Sequence, residues 1–206
     1  MAITDKIINY IAFKVSQMED NGLYHGKMGV ILALYCHGKV HQDKRISDFA
    51  CDILQLSDGD YHLGNIGLEK GMAGIGLGFC LLYKAGMYDD DLNDILTEVD
   101  RQIMAVDPRR LTDFSFKSGA LGILHYINIR RSVQQECETL ELGYIKELEQ
   151  NIYVHASLDM ARQNLLADLT IPNWKPNEYL DEVIGIDNGS SYFLIRDNYD
   201  KVFPCK

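Results

Sequence analysis

Residues 67–86 read GLEKGMAGIGLGFCLLYKAG, with glycine at 67, 71, 74, 76, 78 and 86 and no charge between Lys70 and Lys84. A phosphate-cradling loop, a membrane segment and the start of a packed helix all have this composition. The uncharged run spans residues 71–83, well short of the roughly 20 residues a membrane-spanning helix needs. A dinucleotide loop follows a strand and has an acidic residue about twenty positions on. Here GNIGLEKG precedes the run, with no β-branched apolar stretch. The packed helix remains.

Internal repetition supports it. Gly22-Leu23-x-x-Gly26-x-x-Gly29-Val30 aligns with Gly67-Leu68-x-x-Gly71-x-x-Gly74-Ile75, 45 residues on. A third copy, Phe116-Lys117-Ser118-Gly119-x-x-Gly122-Ile123, follows after 48 more. A fourth, Gly185-Ile186-x-x-Gly189, lacks the second glycine and comes after a longer interval. Each copy leads into an apolar run: VILALY, IGLGFCLLY, ILHYI and YFLI.

The intervening segments carry apolar stripes at helical spacing. They comprise Ile7, Ile8, Ile11, Ala12 and Val15, then Ile46, Phe49, Ala50, Ile53 and Leu54, then Leu92, Ile95, Leu96, Val99 and Ile103. Residues 142–169 can form a long fourth helix, with Leu142, Ile145, Leu148, Ile152, Leu158, Leu165 and Leu166 on its apolar faces. Glycine is costly inside a helix, so its recurrence at i and i+3 calls for close approach of another backbone. The expectation is an all-α protein, a single domain over residues 1–206. About four hairpins, apolar helices inside and amphipathic ones outside, form a partial or small α/α barrel.

The chain has 206 residues and a formal charge of −10. With no basic run it is a poor partner for nucleic acid or anionic lipid. Asp5, Lys6 and Lys14 interrupt the apolar N-terminal stretch, which argues against a signal peptide and for a cytoplasmic protein. Five widely spaced cysteines without a C-x-x-C fit buried thiols in a reducing compartment.

The segments GLYHGKMGVILALY, GLEKGMAGIGLGFCLLY, DFSFKSGALGILHYI and GIDNGSSYFLI resemble the inner-helix repeats of the lanthionine synthetase C-like (LanC-like) family. The resemblance implies an α/α toroid, and a chemistry in which zinc activates a peptide thiol for addition to a dehydroamino acid. It also implies zinc ligands in W-C-Y-G and C-H-G motifs at the starts of later inner helices. Those motifs are absent. The only tryptophan, Trp174, sits in IPNWKPN. Cys36-His37-Gly38 spells C-H-G, but at the end of the first inner helix. It reads there as a buried thiol, a helix-end histidine and a C-capping glycine. The family's third repeat carries an aspartate four residues before its first glycine, where this chain has Ser115. Asp113, two residues upstream, would need a shifted loop to serve instead.

The resemblance points the starts of the inner helices toward a central rim. His25, Lys70, Asp113, Ser115, Lys117 and Asn188 are the candidate ligand-binding residues there, with Glu69 beside them. No catalytic residue and no cofactor is expected; were zinc held, Cys36 and His37 would be the first candidates. His125 is expected in the core, Asp89-Asp90-Asp91 as a helix-start cluster, Arg109-Arg110 in a solvated turn, and the Asn188-Gly189-Ser190 sequon unused. The chain is therefore read as a non-catalytic, accessory protein of modified-peptide biosynthesis that binds a peptide substrate or a partner protein. A cyclase with a metal site rebuilt from Cys36, His37 and His25 is the alternative, and a helical interaction scaffold is another. Four hairpins leave apolar flanks, to be covered by tight closure, by the 142–169 helix and Pro172–Pro176 loop, or by a homodimer.

Overall fold

The computed structural model describes residues 3–57, 64–87, 91–134, 137, 139–155, 165–173 and 183–204. Among these, the regular structure is entirely helical. The helices are α1 (Ile3–Lys14), α2 (Lys27–His41), α3 (Lys44–Leu56), α4 (Met72–Lys84), α5 (Leu92–Met104), α6 (Ala120–Val133), α7 (Leu142–His155), α8 (Leu165–Asp168) and α9 (Ser191–Val202). Two short 3-10 turns, Val15–Gln17 and Pro108–Arg110, join them. The all-α class and the helical hairpins are as the sequence implied. The chain divides into two compact units, Met1–Asp60 with Leu169–Lys206, and Tyr61–Asp168.

In the first unit α2 packs against both α3 and α9, and α1 packs against α9. Every residue of α2 from Met28 to Gly38 is buried, as expected of a helix apolar on all sides. Burying each large aliphatic side chain contributes roughly 1.5–3 kcal/mol relative to exposure. Around α2 the amphipathic helices turn in only one stripe: Ile7 and Ile11 from α1, Ala50 and Ile53 from α3. Ala12, placed on the α1 stripe by its spacing, is exposed.

In the second unit α4 packs against α5 and α6, and α6 against α7. Met72 through Leu82 of α4 are all buried. Gly76 lets the Tyr126 ring lie against the α4 backbone, since a Cβ there would stand 2.5 Å from Tyr126 Cε2. The seam also holds buried polar groups. Tyr126 donates its hydroxyl to Asp100 Oδ1 at 2.5 Å, and Thr139 donates to Asp100 Oδ2 at 2.8 Å. Arg130 Nε lies 3.5 Å from that second oxygen. Burial, then the Asp100 charge, pushes the Tyr126 hydroxyl well above its ordinary range.

Several expectations need correction. Gly38 is no C-cap: α2 continues to His41, and Gln42 caps it in the left-handed region at φ 56°. Gly38 instead admits the start of α3, where a Cβ would lie 2.9 Å from Ser47 N. In the segment 142–169, α7 covers Leu142–His155 and α8 covers Leu165–Asp168. Leu142 is exposed there, and Tyr144 takes a buried place beside Ile145, Leu148 and Ile152. His62, Asp89, Asp90, Leu158, Trp174, Pro176 and Cys205 lie outside the described residues. No helix among the described residues is long and apolar enough to cross a membrane.

Candidate functional site at the starts of the inner helices

Helices α2, α4 and α6 begin after extended N-cap glycines, Gly26, Gly71 and Gly119, none with a side-chain cap. Backbone supplies the cap instead. The first helical N–H donates to the carbonyl seven residues earlier, Lys27 to Asp20, Met72 to Asn65 and Ala120 to Asp113, each at 2.9 Å. The fourth copy repeats it, Ser190 N donating to the Val183 carbonyl at 2.9 Å. The loop therefore curls under the first helical turn, which leaves no room for a Cβ. One on Gly71 would stand 2.5 Å from the Asn65 carbonyl oxygen and 2.6 Å from Gly67 N.

A side chain six residues before the N-cap fixes this curl. Asp20 accepts from Gly22 N at 2.7 Å, Asn65 from Gly67 N at 2.9 Å, and Asp113 from Ser115 N at 2.8 Å. These are Asx turns. Val183 occupies the position in the fourth copy, where Ser191 Oγ donates to the Ile184 carbonyl at 2.5 Å. The Asx position was readable from the repeat alignment, which places Asp20, Asn65 and Asp113 in one register.

Asp113 stands in the register of Asp20 and Asn65, turned back on its own backbone, and Ser115 keeps the position four residues before Gly119. Its Oδ2 also accepts the Ser118 hydroxyl at 2.6 Å, and Ser115 Oγ and Ser118 Oγ are 3.0 Å apart. The Ser118 hydroxyl, then the Ser115 N–H, hold the Asp113 carboxyl below the usual carboxylate range. A carboxylate so held is a weak base near neutrality. Ser118 was not among the expected site residues.

Neighbouring loops within each unit join at a common register. In the second unit Glu69 N donates to the Lys117 carbonyl at 2.7 Å. In the first, Asp187 N donates to the Tyr24 carbonyl at 3.0 Å. Both residues of each pair lie two positions before the glycine that leads their helix, Gly71, Gly119, Gly189 and Gly26. Lys70, Asp113 and Ser115 are exposed in the second unit, with Lys117 half-buried.

In the first unit, His25 Nε2 lies 3.6 Å from Asp187 Oδ2. Asp187 is buried and accepts Thr170 N on Oδ1 at 2.5 Å, so its carboxylate is fixed before it meets the imidazole. Asn188, exposed, has φ 54° and donates its N–H to the Thr170 carbonyl at 3.0 Å. His25 also lines a cleft of about 410 Å³ with Tyr10, Lys14, Glu19, Asp20 and Ile184. Asp187 was the unanticipated partner, two positions before Gly189 as Tyr24 is before Gly26.

The zinc that the resemblance implies does not fit the candidate ligands. Cys36 is fully buried, and desolvation pushes its thiol up to about 12, whereas zinc takes a thiolate. Cys36 and His37 are successive on α2, so they point about 100° apart. His25 precedes the helix, and about 14 Å of rise separates Lys27 from Cys36. Among the described residues no three His, Cys, Asp or Glu side chains form a metal-holding group.

The remaining candidates have structural partners. The His125 ring meets Phe116 edge-on at 5.1 Å, and burial lowers its pKa. Asp91 caps α5 by accepting Asn93 N at 2.9 Å. Arg109 pairs with Asp107 and lies 3.7 Å from Glu147 on the surface.

No curated protein matches the chain. Residues 2–103 match the family model described as lanthionine synthetase C-like protein. That span takes in the first two glycine-led repeats and ends within α5. By this match, the chain belongs to the lanthionine synthetase C-like family.

Proposed function

We infer that the protein is a binding or accessory member of its family, engaging a cysteine-containing peptide at the His25 cleft without closing a ring on it. The observation that carries this reading is the use made of Asp113, whose carboxylate is bound to Ser115 N and the Ser118 hydroxyl of its own loop. The Cys36 thiol, buried and raised to about 12, supports it from the side of metal binding. His25, set beside the buried and fixed Asp187, offers a cleft-side imidazole to peptide groups. The same pair favours the cyclase alternative, because a carboxylate-oriented histidine can move a proton. A cytoplasmic setting and a homodimer covering apolar flanks belong to the proposal.

The test uses a fluorescent synthetic peptide carrying one cysteine and one dehydroalanine, with and without added zinc. Binding is read by anisotropy and ring closure by loss of alkylatable thiol. Binding that weakens about tenfold in His25→Ala, roughly 1.4 kcal/mol, with the thiol retained, is the expected result. Thiol loss faster than in buffer refutes the accessory reading in favour of a cyclase. Absence of binding points to the interaction scaffold.

A further inference from the structure

A groove of about 640 Å³ runs beside the first turn of α1, along α9 from Phe193 to Lys201 and past His37 and His41 in the last turns of α2. Ile3, Ile7, Phe193 and Leu194 give it an apolar side, Arg196 and Lys201 two cations, and His37 and His41 two imidazoles. Asp197 is the acidic side chain lining it, and it is paired with Arg196 at 2.7 Å. In a chain of net charge −10 the lining carries two cations against one carboxylate. The first turn of α1 adds the end of a helix dipole that favours negative charge.

Two buried side chains in this lining are more specific. Asn198 is 2% exposed and donates Nδ2 to the Leu194 carbonyl at 2.8 Å. The same nitrogen lies 3.3 Å from His37 Nδ1. An amide nitrogen only donates, so Nδ1 accepts and the His37 proton resides on Nε2. His37 is thereby set as a neutral donor, with the His41 ring tilted against it at 4.3 Å. Burial holds His37 in that form, helped by His41 and Lys201 and opposed by Asp43 and Asp5. Asn198 Oδ1 is buried without a hydrogen-bond partner, an arrangement that costs stability unless a donor arrives.

An acceptor is thus wanted at His37, a donor at Asn198, negative charge at Lys201, and an apolar group along Ile3 and Ile7. We propose that the groove binds the carboxyl-terminal end of a peptide, its carboxylate toward His37, His41 and Lys201 and its last, apolar side chain on Ile3, Ile7 and Leu194. The peptide N–H supplies the donor that Asn198 lacks. A fatty acid would offer the carboxylate and the apolar tail but no N–H. This site is independent of the rim where His25 lies.

The probe is a fluorescein-labelled hexapeptide ending in leucine, as the free acid and as the C-terminal amide, followed by anisotropy on the full chain. The free acid should bind at least tenfold more tightly than the amide. Lys201→Glu, at an exposed position, should remove that preference, while His25→Ala leaves it intact. Equal affinity for acid and amide overturns the proposal. So does no binding of the free acid at millimolar protein, or displacement of nothing but bound laurate.

Discussion

Replacing Asp100 by asparagine tests the buried polar seam of the second unit most directly. Asp100 and Arg130 are both fully buried, with guanidinium Nε 3.5 Å from carboxylate Oδ2. Arg130 also donates to Asn93 Oδ1 at 2.5 Å and to Gln134 Oε1 at 3.2 Å. Neither acceptor carries a charge. Asp100→Asn keeps the shape but removes the buried counter-charge beside the guanidinium and turns an amide toward Arg130 or the Thr139 hydroxyl. Breaking a buried pair from one side costs about 3–5 kcal/mol. At the low end that shifts the melting midpoint by roughly 6–12 °C for a chain of this size. The double variant Asp100→Leu/Arg130→Met removes both charges, and apolar replacement of a whole buried pair is often close to neutral. The assay is urea unfolding followed by circular dichroism, on Asp100→Asn and on a double-mutant cycle of Asp100→Leu, Arg130→Met and the two combined. A coupling energy above ~1 kcal/mol is expected. If Asp100→Asn costs less than about 1 kcal/mol, or the double variant is as unstable as the two single losses added, the Coulombic account of the seam is wrong.

The helix-start glycines and the glycine of α7 should respond oppositely to alanine. Gly71→Ala places a Cβ 2.5 Å from the Asn65 carbonyl oxygen and should cost about 1–3 kcal/mol by overpacking. Gly143 has no atom within 4 Å of the added Cβ, so Gly143→Ala should gain ~0.5–1 kcal/mol in helix propensity. Equal urea midpoints for the two variants would contradict this account. Acidification should weaken the fold before any carboxylate titrates. Burial lowers the pKa of His37 and of His125 from 6.5, so as pH falls below 6.5 the unfolded chain binds protons that the folded one refuses. The unfolded state then holds more protons, and stability rises with pH across that window. Urea midpoints at pH 7.5 should exceed those at pH 5.5, by less in His37→Gln and His125→Gln; a midpoint unchanged by pH refutes it.

The sequence by itself determined the helical class, the helix order and the places where inner helices begin. Those features are local or repeat along the chain. Gly26, Gly71 and Gly119 mark close approach because only a missing Cβ allows the loop to curl under the first turn, and Met72–Leu82 has no polar face to turn outward. The Asx register of Asp20, Asn65 and Asp113 was also present in the repeat, and only its bonding had to be seen. What tertiary structure decided lies in pairs distant along the chain. His25 meets Asp187 because loops one and four pack together. Asn198 sets the proton of His37 because α2 and α9 run side by side. Asp100 is buried on a helix whose pattern left it free to be exposed, and is kept there by Tyr126, Thr139 and Arg130. Spacing records which face of a helix a side chain occupies. It does not record which other face is brought against it, and that pairing fixes a histidine's tautomer or a carboxylate's work.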